Sequence, residues 1–219
     1  MNTKLIIDFL KKLYNNNNKK WFDANRKEYD EVRKNYSDLI TEFIARLSKF
    51  DNTIDGIEAK QSIFRINRDV RFSNDKTPYK TYMGAYIIKG GRTNWRGGYY
   101  VHIENNNSLI AGGLHIPQSN WLLKVRTAIS EHGDELTKLI NKQNYKKFFG
   151  EFQGEKLKSA PRDFDKNDKY IELIKLKSFD IVYHYDNKSI FDVNNFINDA
   201  IEKFKLMKPV NNFFNEALK

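Results

Sequence analysis

The sequence predicts an α+β fold: a mainly antiparallel sheet of about five strands packed with several helices, including a long N-terminal helix. Three observations predict it. Apolar residues from Phe22 to Phe50 recur every three, four or seven positions, which marks one long amphipathic helix over residues 19–49. From residue 62 the texture changes to short runs rich in aromatic and β-branched residues. The links between these runs are short, and short links require antiparallel neighbours.

A first helix over residues 3–14 precedes the long one, and the tract "NNNN" between them reads as a loop, because Asn side chains compete for backbone hydrogen bonds. Strands follow at 63–72, 82–89, 98–104, 108–114 and, further on, at "FDIVYHYD". "NNN" at 105–107 is a hairpin signal. Pro117 opens a helix over 118–131, which Gly133 closes as a left-handed cap, and short helices cover 134–141 and 144–149. Residues 150–168 lack any period and form an irregular loop. "IELIKLKS" is helical, Asp192 caps "VNNFINDAIEKFKLMK", and Pro209 starts a last helix.

The 219 residues suit one domain with one core, and no repeat or composition break divides them, so residues 1–219 are expected to form a single domain. Aromatics make up 14% of the chain, enough apolar area to exclude a disordered protein despite a mean hydropathy of −0.72. No window approaches the ~18 apolar residues of a membrane span, and the N-terminus, broken by Asp8, Lys11 and Lys12, reads as neither span nor signal peptide. No membrane partner is expected. The chain has no cysteine, so disulfides, thiolate metal sites and a cysteine nucleophile are excluded, in keeping with the cytoplasm.

The net charge of +10 is unevenly spread. Between Arg65 and Arg96 there are eight Lys/Arg and two acids, Asp69 and Asp75, so +6 of the total falls in this segment. On a strand over 63–72, alternation points Phe64, Ile66, Val70 and Phe72 to the core and Arg65, Asn67, Asp69 and Arg71 to the other face, with Arg68 interrupting the apolar side. "NDKTPYKT" then turns the chain, since Pro78 fixes its own φ and keeps Thr77 out of the helical region. Arginine forks pair with phosphate or carboxylate oxygens, and lysine and threonine add donors. Arg65, Arg68, Arg71, Lys76, Thr77, Tyr79 and Lys80 are therefore the candidate ligand-binding residues, with Asp69 orienting the guanidiniums. The structural alternative is an internal salt-bridge network in which Asp69 and Asp75 consume the arginines.

"NKKWF", "FRINRDVRFSNDKTPYKT", "GGYYVHIE", "AGGLHIP" and "LKSF", in this order and at these intervals, resemble the bacterial and fungal family known as domain of unknown function 2461. The resemblance runs from the first helix to near the C-terminus. It implies no activity, cofactor or partner. It does imply that Arg65, Arg68, Asp69, Arg71 and Phe72, with the run from Asp75 to Thr81 and Ser73, lie at the family's signature positions. His115 with Ile116 departs from the family, whose members often carry an aromatic there, and that weakens any role for His115.

Other groups carry less. His102 and Glu104, two apart on one strand, face the same way and join Asp69 as candidate catalytic groups, though a pair is too few for a metal site unless His115 and Asp69 meet it. No metal or cofactor is expected. "KGGRTNWRGGYY" matches neither phosphate-loop nor dinucleotide fingerprint; it reads as a hairpin tip, with a flexible anion-gripping loop in which Trp95 is a stacking platform for a base as the functional alternative. Gly112 and Gly113 inside a strand signal a bulge or the close approach of another group, with packing the favoured cause. Trp21 and Phe22 are read as core.

Three functions follow. The first is binding of a phosphate- or carboxylate-bearing ligand at the basic strand and turn, with phosphate transfer or hydrolysis the least strained chemistry if the protein is an enzyme. The second is nucleic-acid binding, the basic strip tracking a backbone while Tyr79, Tyr82 and Trp95 stack bases; each phosphate contact then adds about −0.7 to −0.9 to the slope of log K against log salt. The third is a structural or interaction protein whose charged motif only holds the fold.

Overall fold

The structure, a computed structural model, describes residues 1–94 and 96–219, and the expectation for Trp95 lies outside them. Four strands, β1 (Tyr82–Ile87), β2 (Tyr99–Glu104), β3 (Ser108–Leu114) and β4 (Phe179–Tyr185), form one antiparallel sheet in chain order. The helices are α1 (Thr3–Asn15), α2 (Lys19–Ala24), α3 (Arg26–Leu47), α4 (Ala59–Ser62), α5 (Ser119–Ile140), α6 (Gln143–Phe149), α7 (Ile171–Ile174), α8 (Asn187–Phe191) and α9 (Val193–Ala217). An α+β protein with a mainly antiparallel sheet is the architecture. None of the described helices is long and apolar enough to cross a membrane.

The strand expected over 63–72 is absent, leaving four strands where about five were expected. Ile63 bridges Ala85 and Asn67 bridges Tyr79, so four steps of chain on one side oppose six on the other. No unbroken ladder fits that mismatch. The helix expected over 19–49 is divided at Asn25, whose backbone leaves helical geometry (φ −107°, ψ 20°) and whose side-chain amide donates to the Trp21 carbonyl at 2.8 Å.

Two compact units divide the chain. The first comprises Met1–Thr93, Tyr100–Ile110 and His184–Ile201. Ile6, Ile7, Leu10 and Leu13 of α1 and Val32, Tyr36, Leu39 and Phe43 of α3 are fully or almost fully buried, as expected of helices with one apolar stripe each. The Tyr36 hydroxyl donates to the Val101 carbonyl at 2.9 Å, and Phe43 meets Phe196 edge-on at 5.7 Å. Asn106 turns the β2–β3 hairpin at φ 57°, as "NNN" predicts.

The second unit comprises Asn94–Tyr99, Ala111–Tyr183 and Glu202–Lys219. Its apolar centre joins Phe152, Phe179 and Phe214, with ring centroids 5.0 to 5.8 Å apart, and Tyr99 against Phe204 at 5.1 Å. Gly112 packs under Met207, and Gly113, at φ 85°, lies so close to the Phe179 carbonyl that a Cβ would collide with it. Gly133 is not a cap: α5 runs on past a kink at His132 (φ −128°), and the glycine is buried under the Tyr170 ring, where a Cβ would lie 2.5 Å from ring carbons. Pro209 likewise starts no helix, since α9 passes through it, forgoing one backbone bond. The Asp192 cap is present, with Asn195 N–H donating to its carboxylate at 3.2 Å.

Candidate functional site

The charged motif follows β1's edge without being a strand. Phe64 N–H donates to the Gly84 carbonyl at 2.9 Å, Lys80 N–H to Ile66 at 2.8 Å and Arg68 N–H to Pro78 at 2.9 Å. Beyond Arg68 the chain turns out, and the alternation expected for a strand is not kept: Ile66 is buried, but Phe64 and Phe72, at 36% and 97%, are exposed rather than core.

Most of the basic side chains expected to bind a ligand are engaged inside this turn. The Arg71 fork meets the Asp69 carboxylate at 2.7 and 2.9 Å, which holds that carboxyl below its ordinary range. Arg68 donates to the carboxylate of Asp75 and to the hydroxyl and carbonyl of Thr77. Asp75 also accepts from the Thr77 N–H at 2.9 Å and from the Thr77 hydroxyl, and these bonds, the backbone one foremost, bring its pKa to about 2. Lys76 donates to the Val70 carbonyl at 3.0 Å and Lys80 to the Arg65 carbonyl at 2.9 Å. The two local acids thus take one arginine each. The Arg65 carbonyl accepts from Lys80, but its guanidinium has no hydrogen-bond or ion-pair partner among the described residues.

Arg65 instead lines a pocket of about 320 Å³ together with Arg26 and Arg33 of α3, Arg92 of the turn after β1, and Tyr79. Arg26, Tyr29, Arg33 and Ser37 recur at steps of three and four along α3, so one helix stripe forms a wall. Arg26 pairs with Asp30 at 3.2 Å and lies 5.6 Å from the Tyr29 ring centroid. Arg92 donates through Nη1 to the Lys60 and Gln61 carbonyls, at 3.0 and 2.9 Å, neutral acceptors that leave its charge uncompensated. The Arg33 guanidinium, like that of Arg65, has no hydrogen-bond or ion-pair partner among the described residues. The one lining acid, Asp23, is paired with Lys19, and Lys60 with Glu58.

Burial of the Lys80 ammonium, with the Arg65 charge nearby, lowers its pKa. Tyr79 is buried and its ring stacks on Phe22 at 4.0 Å, so it shapes the pocket floor. Phe22 is core as expected, while Trp21 packs on Phe9 at 5.8 Å but is only half-buried.

His102 and Glu104 do meet, Nε2 to Oε2 at 3.2 Å, and the Tyr100 hydroxyl lies 3.0 Å from His102 Nδ1. A carboxylate at Nε2 fixes the proton there and leaves Nδ1 to accept from Tyr100. Tyr82 stacks on the imidazole at 4.4 Å. Burial lowers the His102 pKa, outweighing Glu104, and so keeps the ring neutral at neutral pH. Gly84 makes this possible, since a Cβ there would come within 2.6 Å of the Tyr100 oxygen. Asp69 is bonded to Arg71, and His115 pairs with Asp180 at 3.0 Å, so neither joins His102. Among the described residues no three His, Asp or Glu side chains could hold a metal ion.

Sequence reasoning overlooked Arg33. The signal was present as the Arg26, Tyr29, Arg33, Ser37 stripe, hidden beside the apolar stripe that defines the helix. A sequence model described as conserved hypothetical protein DUF2461 matches residues 5–213. The chain belongs to that family. The DUF2461 match takes in all four pocket arginines as well as the charged turn. No curated protein and no solved structure matches the chain.

Proposed function

We propose that this protein binds a small ligand bearing phosphate or carboxylate groups in the arginine pocket. The observation that carries the reading is the gathering of Arg33 and Arg65, without carboxylate partners, and Arg92, bonded through its side chain only to carbonyls, around a pocket whose single acid is already paired. Guanidiniums left in this state have free forks, and forks bind oxyanions in pairs. Relative to the sequence reading, the site moves: Arg65 stays, Tyr79 becomes floor, and Arg26, Arg33 and Arg92 replace the residues spent in the turn.

The pocket's size favours a small ligand over a polymer, since about 320 Å³ lies at the low end of metabolite-sized sites. The rings of Phe22, Tyr29 and Tyr79 are buried, and the exposed lining ring, Phe64, already meets Tyr100 edge-on at 6.5 Å and Lys80 at 5.5 Å. The test is thermal melting of the full chain across an orthophosphate series at constant ionic strength. The wild-type Tm rises with phosphate, and Arg65→Ala, which disturbs no side-chain bond, melts normally without ligand but responds weakly. Equal responses of the two proteins reject the pocket.

A further inference from the structure

We infer that the ligand carries two linked phosphoryl groups, so that the pocket is a diphosphate site rather than a monophosphate site; this rests on the anion-binding reading above and adds the ligand's class. The argument is one of charge and donor number. Arg33 and Arg65 each keep all five guanidinium N–H donors, and Arg92 commits only Nη1, leaving Nε and Nη2. Three positive charges are therefore left without an acid.

They also come from three separate pieces of chain: Arg33 from the middle of α3, Arg65 from the bridged segment before β1, and Arg92 from the turn beyond β1. Arg92 is held in place by the carbonyls at the end of α4, and Arg26 by the Tyr29 ring and Asp30, so these two are positioned without a ligand. One phosphoryl group brings roughly 1.5 to 2 negative charges, which leaves about one of the three guanidiniums without an anionic partner. Two linked phosphoryl groups bring about three and offer enough terminal oxygens for three forks. A single carboxylate matches only one of them.

Isothermal titration of the full chain with sodium orthophosphate, sodium pyrophosphate and sodium acetate at pH 8 and matched ionic strength tests this. Pyrophosphate is expected to bind about tenfold or more tightly than either other anion. Arg33→Gln removes a charge without breaking an internal bond, so it should melt like wild type while the preference shrinks to within about threefold. Orthophosphate or acetate binding as tightly as pyrophosphate overturns the diphosphate assignment and leaves the anion pocket standing. Absence of binding by all three, or wild-type binding by both Arg33→Gln and Arg65→Ala, removes the pocket reading and the inference together.

Discussion

The ring of Phe22 lies on the ring of Tyr79, centroids 4.0 Å and planes 15° apart, so that helix α2 is fastened to the turn that follows Pro78. Asn17 reinforces the joint. Its amide donates to the Tyr79 carbonyl at 2.9 Å and its side-chain oxygen accepts from the Tyr79 N–H at 3.1 Å. One side chain thereby satisfies both backbone groups of a buried residue on the pocket floor.

Asn17→Ala is accordingly expected to lower stability by about 2 kcal/mol, because both polar groups lose their partner in a half-buried place. For a chain of this length that is roughly 4–8 °C in Tm. Asn17→Asp keeps the acceptor and loses the donor, and its loss should be smaller. A melting curve for Asn17→Ala that overlays the wild type would show that the clamp contributes nothing.

Asn17 also shows how far the sequence was legible. "NNNN" was readable as a loop from the habits of Asn, but a contact with a residue 62 positions away leaves no local trace. The longer helices, the hairpin and four strands were readable because each has its own period, whereas the one-turn helices α4 and α8, too short to show one, were not expected. The fifth strand was not, since the failure of 63–72 to form a ladder depends on the register of its partner. Gly133 and Pro209 were misread for one reason: a residue that usually ends or starts a helix locally was kept inside one by packing. At the site, the sequence found the charge surplus and Arg65 but not the pocket, because Arg33 and Arg92 meet Arg65 only through tertiary structure.

Gly133 permits a test of that account. In an open helix Gly→Ala stabilises by up to ~1 kcal/mol. Here the added Cβ meets the Tyr170 ring, so Gly133→Ala is expected to destabilise by about 1–3 kcal/mol. In a Tyr170→Ala background the same change should become neutral or stabilising. A denaturant double-mutant cycle measures the difference, and simple additivity would sink the explanation.

His102 gives stability a pH dependence of known sign. Its folded pKa is depressed, mainly by burial, so below roughly 6.5 the unfolded chain takes up a proton that the folded chain refuses. Its contribution is full above that value and declines as pH falls toward the folded pKa. His115, whose pKa is raised chiefly by its hydrogen bond to Asp180, acts in the opposite sense: its contribution is full below roughly 6.5 and is lost as pH rises through the folded pKa. Urea melts between pH 7.5 and 5 should therefore show a steeper acid loss in His115→Gln than in wild type, and a shallower one in His102→Gln. Identical slopes in all three proteins would contradict both assignments.

The last prediction separates structural from binding arginines within one motif. Arg68 holds Asp75 and both oxygens of Thr77 and is only one-quarter exposed, so Arg68→Ala should lower Tm by about 4 °C or more as the turn loosens. The loss should shrink in acid, because the Asp75 partner contributes fully above its ordinary pKa and ceases to as pH falls through about 2. Arg71 and Asp69 form an exposed pair of the kind that adds little, so Arg71→Ala should leave both melting and anion response unchanged. Arg65→Ala should do the reverse of Arg68→Ala, keeping Tm and losing the phosphate response. A weakened phosphate response in well-folded Arg71→Ala, with Arg65→Ala unaffected, would return the site to the exposed turn and away from the pocket.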